Sequence, residues 1–133
     1  MKISAGLAII VKNNILLVHP TNANWSGTYS IPKGLVEDGE DLIDAAIRET
    51  YEEIGVSIEK RIVQPDPIVI EYKSKNGKVY KKVYAFIVIL GDTFDVPKED
   101  LQLEEVDWAG FLNKDEAKDK IFWRFKELLN ELE

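Results

Sequence analysis

Three glutamates, Glu49, Glu52 and Glu53, stand within five residues of one another. On an α-helix, at 100° per residue, they share roughly 100° of one face. Like charges at i and i+4, such as Glu49 and Glu53, cost a few tenths of a kcal/mol per pair. A divalent cation among the carboxylates reverses the sign of that term. The chain has no cysteine and a single histidine, so the available donors are oxygens. Mg²⁺ or Mn²⁺ suits such a set better than Zn²⁺. The competing reading is a solvated acidic helix face, its first-turn acids favoured by the helix dipole. The carboxylate count alone favours that second reading; the surrounding residues decide between the two.

The helix that must carry these carboxylates is expected from about Asp41 to Ile54, stopped by Gly55. Ile43, Ala46, Ile47, Thr50 and Ile54 form a separate stripe to be buried. Arg48 lies on the far side of the acidic face and can pair with Glu52 at i+4. Upstream, Ala5–Val11 and Ile15–Val18 read as apolar strands around a turn at Asn13–Asn14. The stretch from His19 to Gly34 is rich in Pro, Asn, Gly and Ser and reads as loop. Downstream, a strand is expected near Ser57–Val63. Ile68–Lys73 and Lys78–Leu90 read as strands of a hairpin turning at Asn76–Gly77. A short strand follows at Val106–Phe111. A last helix is expected from about Asp115 to Leu132, with Ala117, Ile121, Phe122, Phe125, Leu128, Leu129 and Leu132 on one stripe. Strands with two separated helices give an α/β (α+β) fold, a mixed sheet covered by helices.

Composition sets the outer limits. A chain of 133 residues, 45% hydrophobic and 31% charged, is one ordinary domain, residues 1–133. The absence of cysteine excludes disulfides and thiolate metal sites and fits a reducing, cytoplasmic setting. A net charge of −7 disfavours an open nucleic-acid or anionic-membrane surface. It leaves room for a small anion that arrives with metal ions. The longest apolar run, Val83–Leu90, is too short to span a bilayer. The first fourteen residues loosely resemble a signal peptide. They read better as a strand, because one lysine precedes the apolar stretch and a second strand follows at once.

Around the acidic helix, Gly34, Glu40, Arg48, Glu49, Thr50, Glu52, Glu53, Gly55 and Val56 fit the pattern G-x5-E-x7-R-E-U-x-E-E-x-G-U, where U is a bulky aliphatic residue. Seven positions demand one residue type each, so a chance match is on the order of one in a million or less. The stretch from 34 to 56 thus resembles the Nudix box. Thr50 departs from the pattern at the first U. It is nearly isosteric with valine, sits on the buried stripe, and can donate its hydroxyl to the i−4 carbonyl. The stretch before the box and the strand–helix ending resemble the same family, so the likeness covers most of the chain.

The resemblance implies an α/β/α sandwich with a mixed sheet between helices. It also implies an Mg²⁺- or Mn²⁺-dependent hydrolase that cleaves a pyrophosphate link in a nucleoside diphosphate joined to another group. By the family motif, Glu49, Glu52 and Glu53 ligate the ions, joined by a backbone carbonyl of Lys33 or Gly34. Arg48 orients a glutamate, and Glu40 anchors the loop to the start of the helix. The general base differs within the family. Glu105 leads the distal candidates and is also implied as a further metal ligand, since Glu105 to Phe111 has the spacing of a metal-binding glutamate and an aromatic in the dinucleoside polyphosphate hydrolase branch; Glu104, Glu99 and Asp100 follow.

Three features lean toward that branch and a substrate such as diadenosine tetraphosphate. The box is entered through Pro32-Lys33-Gly34, and Lys33 can meet a phosphate as a point charge. Tyr72 follows Val56 at about the distance of a base-stacking tyrosine in that branch. Residues Glu71–Lys82, with Lys81 among them, hold five lysines against one acid, a local basic patch suited to a polyphosphate. The plain readings are a cross-strand filler for Tyr72 and edge-strand protection for the lysines. Trp25 and Tyr29 are placed to sandwich an adenine or to cover the core, and His19 reads as structural. The alternatives are a nucleoside triphosphate or oxidised-nucleotide pyrophosphohydrolase, a diphosphoinositol polyphosphate hydrolase, and a non-catalytic nucleotide-binding module. The oligomeric state, monomer or homodimer, is left open.

Overall fold

The computed structural model of the chain describes residues 1–133. β1 (Lys2–Val11) and β2 (Asn14–Pro20) form a hairpin in which Val11 pairs with Asn14. Its two-residue turn is therefore Lys12–Asn13, one position earlier than the sequence suggests. Both residues have positive φ, 45° and 69°, the geometry that matches the twist of two-residue hairpins. β3 (Lys33–Leu35) pairs antiparallel with Ser4–Gly6 of β1, a short strand inside the stretch expected to be loop. β4 (Ile68–Lys73) and β5 (Val79–Leu90) form the hairpin at Asn76–Gly77, and β6 (Val106–Asn113) pairs antiparallel with β2.

β5 runs parallel to β1 over the whole of that strand, Lys2 opposite Lys81 and Val11 opposite Leu90. The sheet order is β4-β5-β1-β2-β6, with β3 beside the first half of β1. Alternate residues of the central strands feed two cores. Ala8, Ile10, Ile15, Leu17 and Ile87 pack with Phe125, Leu128 and Leu129. Leu7, Ile9, Leu16, Phe86 and Val88 pack on the other face with Ala45, Ala46 and Ile54. Because both faces are covered, these strands read as continuous apolar runs rather than alternating ones. The architecture is the expected mixed sheet between helical layers. No helix is long and apolar enough to cross a membrane.

α1 (Leu42–Ile54) covers one face. Asp41 caps it, its carboxylate accepting from the amides of Ile43 and Asp44, both at 3.1 Å. Gly55 ends it in the left-handed region at φ 72°, its amide donating to Tyr51. Two expected elements differ. No strand forms at Ser57–Val63; a 3₁₀ turn occupies Lys60–Ile62, and Val63 alone bridges to Val88. Ile58 and Val63 are five residues apart, so a strand would point them to opposite faces. Both are buried in the same core, which requires the chain to turn.

The last helix is also not continuous. α2 spans only Lys114–Lys118, and a 3₁₀ segment covers Trp123–Glu131. Between them the backbone pairs with the loop before β3. The amides of Thr28 and Tyr29 donate to the Lys120 carbonyl at 2.8 Å, and the Phe122 amide donates to the Tyr29 carbonyl at 2.8 Å. An uninterrupted helix would use those groups internally. The apolar spacing is compatible with the tighter coil, since Phe122, Phe125 and Leu128 recur every three residues, as do Leu129 and Leu132. The stripe still meets the sheet, with Ala117, Ile121, Phe125, Leu128, Leu129 and Leu132 all buried.

Gly55→Ala puts a side chain on a left-handed backbone whose Cβ would lie 3.1 Å from Asp100. The variant is expected to lose about 1 kcal/mol of stability or more, read from urea unfolding midpoints at unchanged slope.

Candidate functional site

The site begins with the pairing of β3 to β1, which fixes Lys33–Leu35 beside α1. Gly34 faces Glu49 at such close range that a Cβ there would collide with the glutamate's carboxylate. A glycine at this position is therefore what lets the strand and the acidic helix meet. The loop that follows folds back on itself, the Glu37 amide donating to Glu40 at 3.0 Å.

Arg48 draws the loop and the helix together. Its Nε donates to Glu40 at 2.8 Å and one Nη to the other Glu40 oxygen at 3.0 Å and to the Leu35 carbonyl at 3.0 Å. The second Nη donates to Glu49 at 2.9 Å and to Glu52 at 3.1 Å. A planar guanidinium with five donors can serve this many acceptors; an ammonium cannot do so in one plane. These bonds hold the Glu40 carboxyl below its ordinary range. Thr50 sits fully buried below them and donates to the Ala46 carbonyl at 2.8 Å.

Above this network lies a cleft of about 460 Å³ lined by charges of both signs. Glu49, Glu52, Glu53 and Glu105 line it together with Lys2, Lys33 and Lys81. Glu53 is 8% exposed, and burial pushes its carboxyl up to about 8, with Lys33 opposing and Glu49 adding to the rise. Burial likewise raises Glu49, against the pull of Arg48. Lys33 is lowered by burial, and Glu53, Glu49 and Glu105 oppose that effect. Lys81 is lowered by burial and by the neighbouring Lys33 and Lys2.

The four carboxylates are the hard oxygen donors that Mg²⁺ or Mn²⁺ prefers, and a cation would offset the cost of ionising buried Glu53 and Glu49. The donor chemistry therefore fits such an ion. As the side chains stand, no three acidic groups converge on one point, because Arg48 holds Glu49 and Glu52 toward itself while Glu53 faces Lys33.

The cleft takes in Glu105 and leaves out Glu104, Glu99 and Asp100. Lys33, Gly34 and Lys81 line it; Tyr72, Trp25 and Tyr29 do not. Tyr72 is half-buried against Phe122 and Phe125, with the Arg124 guanidinium 4.6 Å and the Lys81 ammonium 5.1 Å from its ring centroid. It adjoins the cleft through Lys81 rather than forming its wall. Trp25 and Tyr29 form no parallel-walled slot for an adenine, for their planes cross at 67°. Tyr29 is 4% exposed and packs edge-on to Trp108, and one face of Trp25 is covered by His19 at 3.5 Å. Sequence reasoning missed Lys2, Ser4 and Gln102 as lining residues and Arg124 beside Tyr72. Lys2 reaches the site only because the parallel register sets it opposite Lys81, a relation that no local spacing encodes.

A model of the NUDIX domain matches residues 1–132. Nudix hydrolase 10 of Arabidopsis thaliana is 34% identical over 87 residues, which are 65% of this chain and 30% of that protein. The chain thus spans about a third of the length of that curated relative. A C. elegans Ap4A hydrolase, in the crystal structure of its binary complex, is similar at TM-score 0.74 and 28% identity, over 98% of this chain and 94% of that one. The MutT NUDIX hydrolase from Burkholderia pseudomallei shares the fold at TM-score 0.74 and 19% identity, over 99% and 98% of the two chains.

A carboxyl raised in the folded state binds its proton more tightly there than in the unfolded chain. Its contribution to stability is complete below about 4.5 and is lost as pH rises toward about 8. In EDTA, the thermal stability of the protein is expected to fall across that window, and Glu53→Gln to flatten the decline. An equal decline in the variant would assign the effect to other groups.

Proposed function

The chain belongs to the NUDIX domain family, and from that premise we propose that it is a metal-dependent pyrophosphohydrolase of nucleoside diphosphate derivatives. Dinucleoside polyphosphates such as diadenosine tetraphosphate are the substrate class. The observation that carries this reading is the cleft itself, which gathers the box carboxylates Glu49, Glu52 and buried Glu53 with lysines that have no ion-pair partners. Such a lining suits a polyanion that brings its own neutralising cation.

In the reaction a water oxygen bonds to phosphorus, the bridging P–O bond breaks, and the phosphate leaving group departs with the bond's electrons. Glu49, Glu52 and Glu53, with the Lys33 or Gly34 carbonyl, would hold an Mg²⁺ or Mn²⁺ ion, which when bound would offset charge at the phosphoryl oxygens and favour ionisation of the attacking water. Glu105, an exposed carboxylate of the cleft, takes the proton from water. Lys33 and Lys81 face the phosphates, and partial desolvation strengthens their attraction to them. Arg48 orients the box glutamates. Tyr72, next to Lys81, meets the far nucleoside. The likeness to an Ap4A hydrolase and the Pro32-Lys33-Gly34 entry support the dinucleotide preference.

The test is product release from diadenosine tetraphosphate, ATP, 8-oxo-dGTP, ADP-ribose and a diphosphoinositol polyphosphate, with Mg²⁺ and with EDTA. Turnover led by diadenosine tetraphosphate and abolished by EDTA is expected. Glu52→Gln and Glu53→Gln should each lower turnover on the order of a hundredfold or more in a folded protein. Near-normal rates in both variants would remove the metal site from the reading. Tyr72→Ala should weaken dinucleotide use more than use of ATP; equal losses would remove its stacking role.

A further inference from the structure

Glu105 is carried by a segment with little structure of its own. Within Gln102–Val106, the amides of Glu105 and Val106 both donate to the Gln102 carbonyl, at 2.8 and 2.9 Å. The hydrogen bonds that fix this turn to the rest of the chain lie at its two ends. At one end the Gln102 amide donates to the Glu53 carbonyl at 2.9 Å, tying the turn to the helix that carries the other carboxylates. At the other end is Thr21. Its amide donates to the Glu105 carbonyl at 3.0 Å, and its hydroxyl donates to the Leu103 carbonyl at 2.8 Å.

The residues that flank Thr21 are held by a buried anchor. The β2–β6 ladder shifts register between His19, opposite Trp108, and Pro20, opposite Val106, so Asp107 is the extra residue of a bulge. Bulges re-aim side chains, and here the Asp107 carboxylate meets His19 Nδ1 at 2.5 Å. His19 is fully buried. Its Nε2 lies 3.2 and 3.0 Å from the carbonyl oxygens of Ala23 and Asn24, and its ring stacks on Trp25. The loop around Thr21 is therefore fastened to the strand that begins directly after Glu105.

We infer that Thr21 is a positioning residue for Glu105, clamped by His19 and Asp107 so that the Glu105 carboxylate keeps a fixed place against Glu49 and Glu53. The inference rests on Glu105 acting in the proposed hydrolysis. Thr21→Val keeps the side chain's shape and removes the hydroxyl; Thr21→Ser restores it. With Mg²⁺ and the best substrate of the panel, Thr21→Val is expected to lower kcat about tenfold, in keeping with the sensitivity of catalysis to small displacements, and to leave KM unchanged. Thr21→Ser should recover most of the rate. In a Glu105→Gln background, Thr21→Val should cost nothing further, because the group it positions is gone. Wild-type kcat in Thr21→Val, or a full tenfold loss repeated in the Glu105→Gln background, would overturn the inference. A wild-type rate in Glu105→Gln alone would overturn it by a different route, by removing Glu105 from the chemistry.

Discussion

Arg48 brings Glu40, Glu49 and Glu52 within hydrogen-bond reach of one guanidinium, and the arrangement of loop, helix and cleft depends on that gathering. The box stretch carries eight acids and no other cation. Without a central positive charge its carboxylates would repel across a helix face and across a loop turn. Because Arg48 also reaches the Leu35 carbonyl at the end of β3, the same side chain sets the distance between the helix and the sheet. Gly34 makes that distance possible, since the volume a side chain would need is taken by Glu49.

The guanidinium leaves Glu53 outside its reach. Glu53 lies at the border of the acidic face and the buried stripe of α1, so the packing that covers Ala46 and Ile54 also desolvates its carboxylate. Lys33, partly desolvated in its turn, is the nearest compensating charge and makes no close ion pair with it. The cleft thus holds opposed electrostatics: burial makes Glu49 and Glu53 reluctant to ionise and Lys33 and Lys81 reluctant to stay charged. An anionic ligand carrying a cation would relieve both sides at once. The parallel β1–β5 pairing brings Lys2 and Lys81 to this place, and the β2–β6 bulge brings Glu105, so the strands supply what the box lacks.

The box helix from about Asp41, its stop at Gly55 and the β4–β5 hairpin were legible from the sequence because each rests on local spacing and local turn chemistry. The family likeness was legible for the same reason, its motif being contiguous. What was not legible depended on contacts between distant segments. β3 exists because β1 offers it an edge, and the last helix breaks because the Thr28–Tyr29 backbone engages its Lys120 carbonyl and its Phe122 amide. Ile58 and Val63 turn to reach one core. At the site, Glu105 was preferred to Glu104 on its spacing to Phe111, and it is Glu105 that lines the cleft. Tyr29, an aromatic in a polar loop, proved to be part of the core because Trp108 of β6 lies against it, and the adenine slot imagined between it and Trp25 does not form.

The most direct measurement is the titration of the Glu53 side-chain carboxyl by ¹³C NMR, first in EDTA and then with saturating Mg²⁺. Without metal the midpoint should lie near 8. With Mg²⁺ it should fall into the ordinary carboxylate range, because a bound cation favours the charged form. A midpoint that Mg²⁺ leaves in place would contradict the view that these carboxylates are gathered to hold a metal ion.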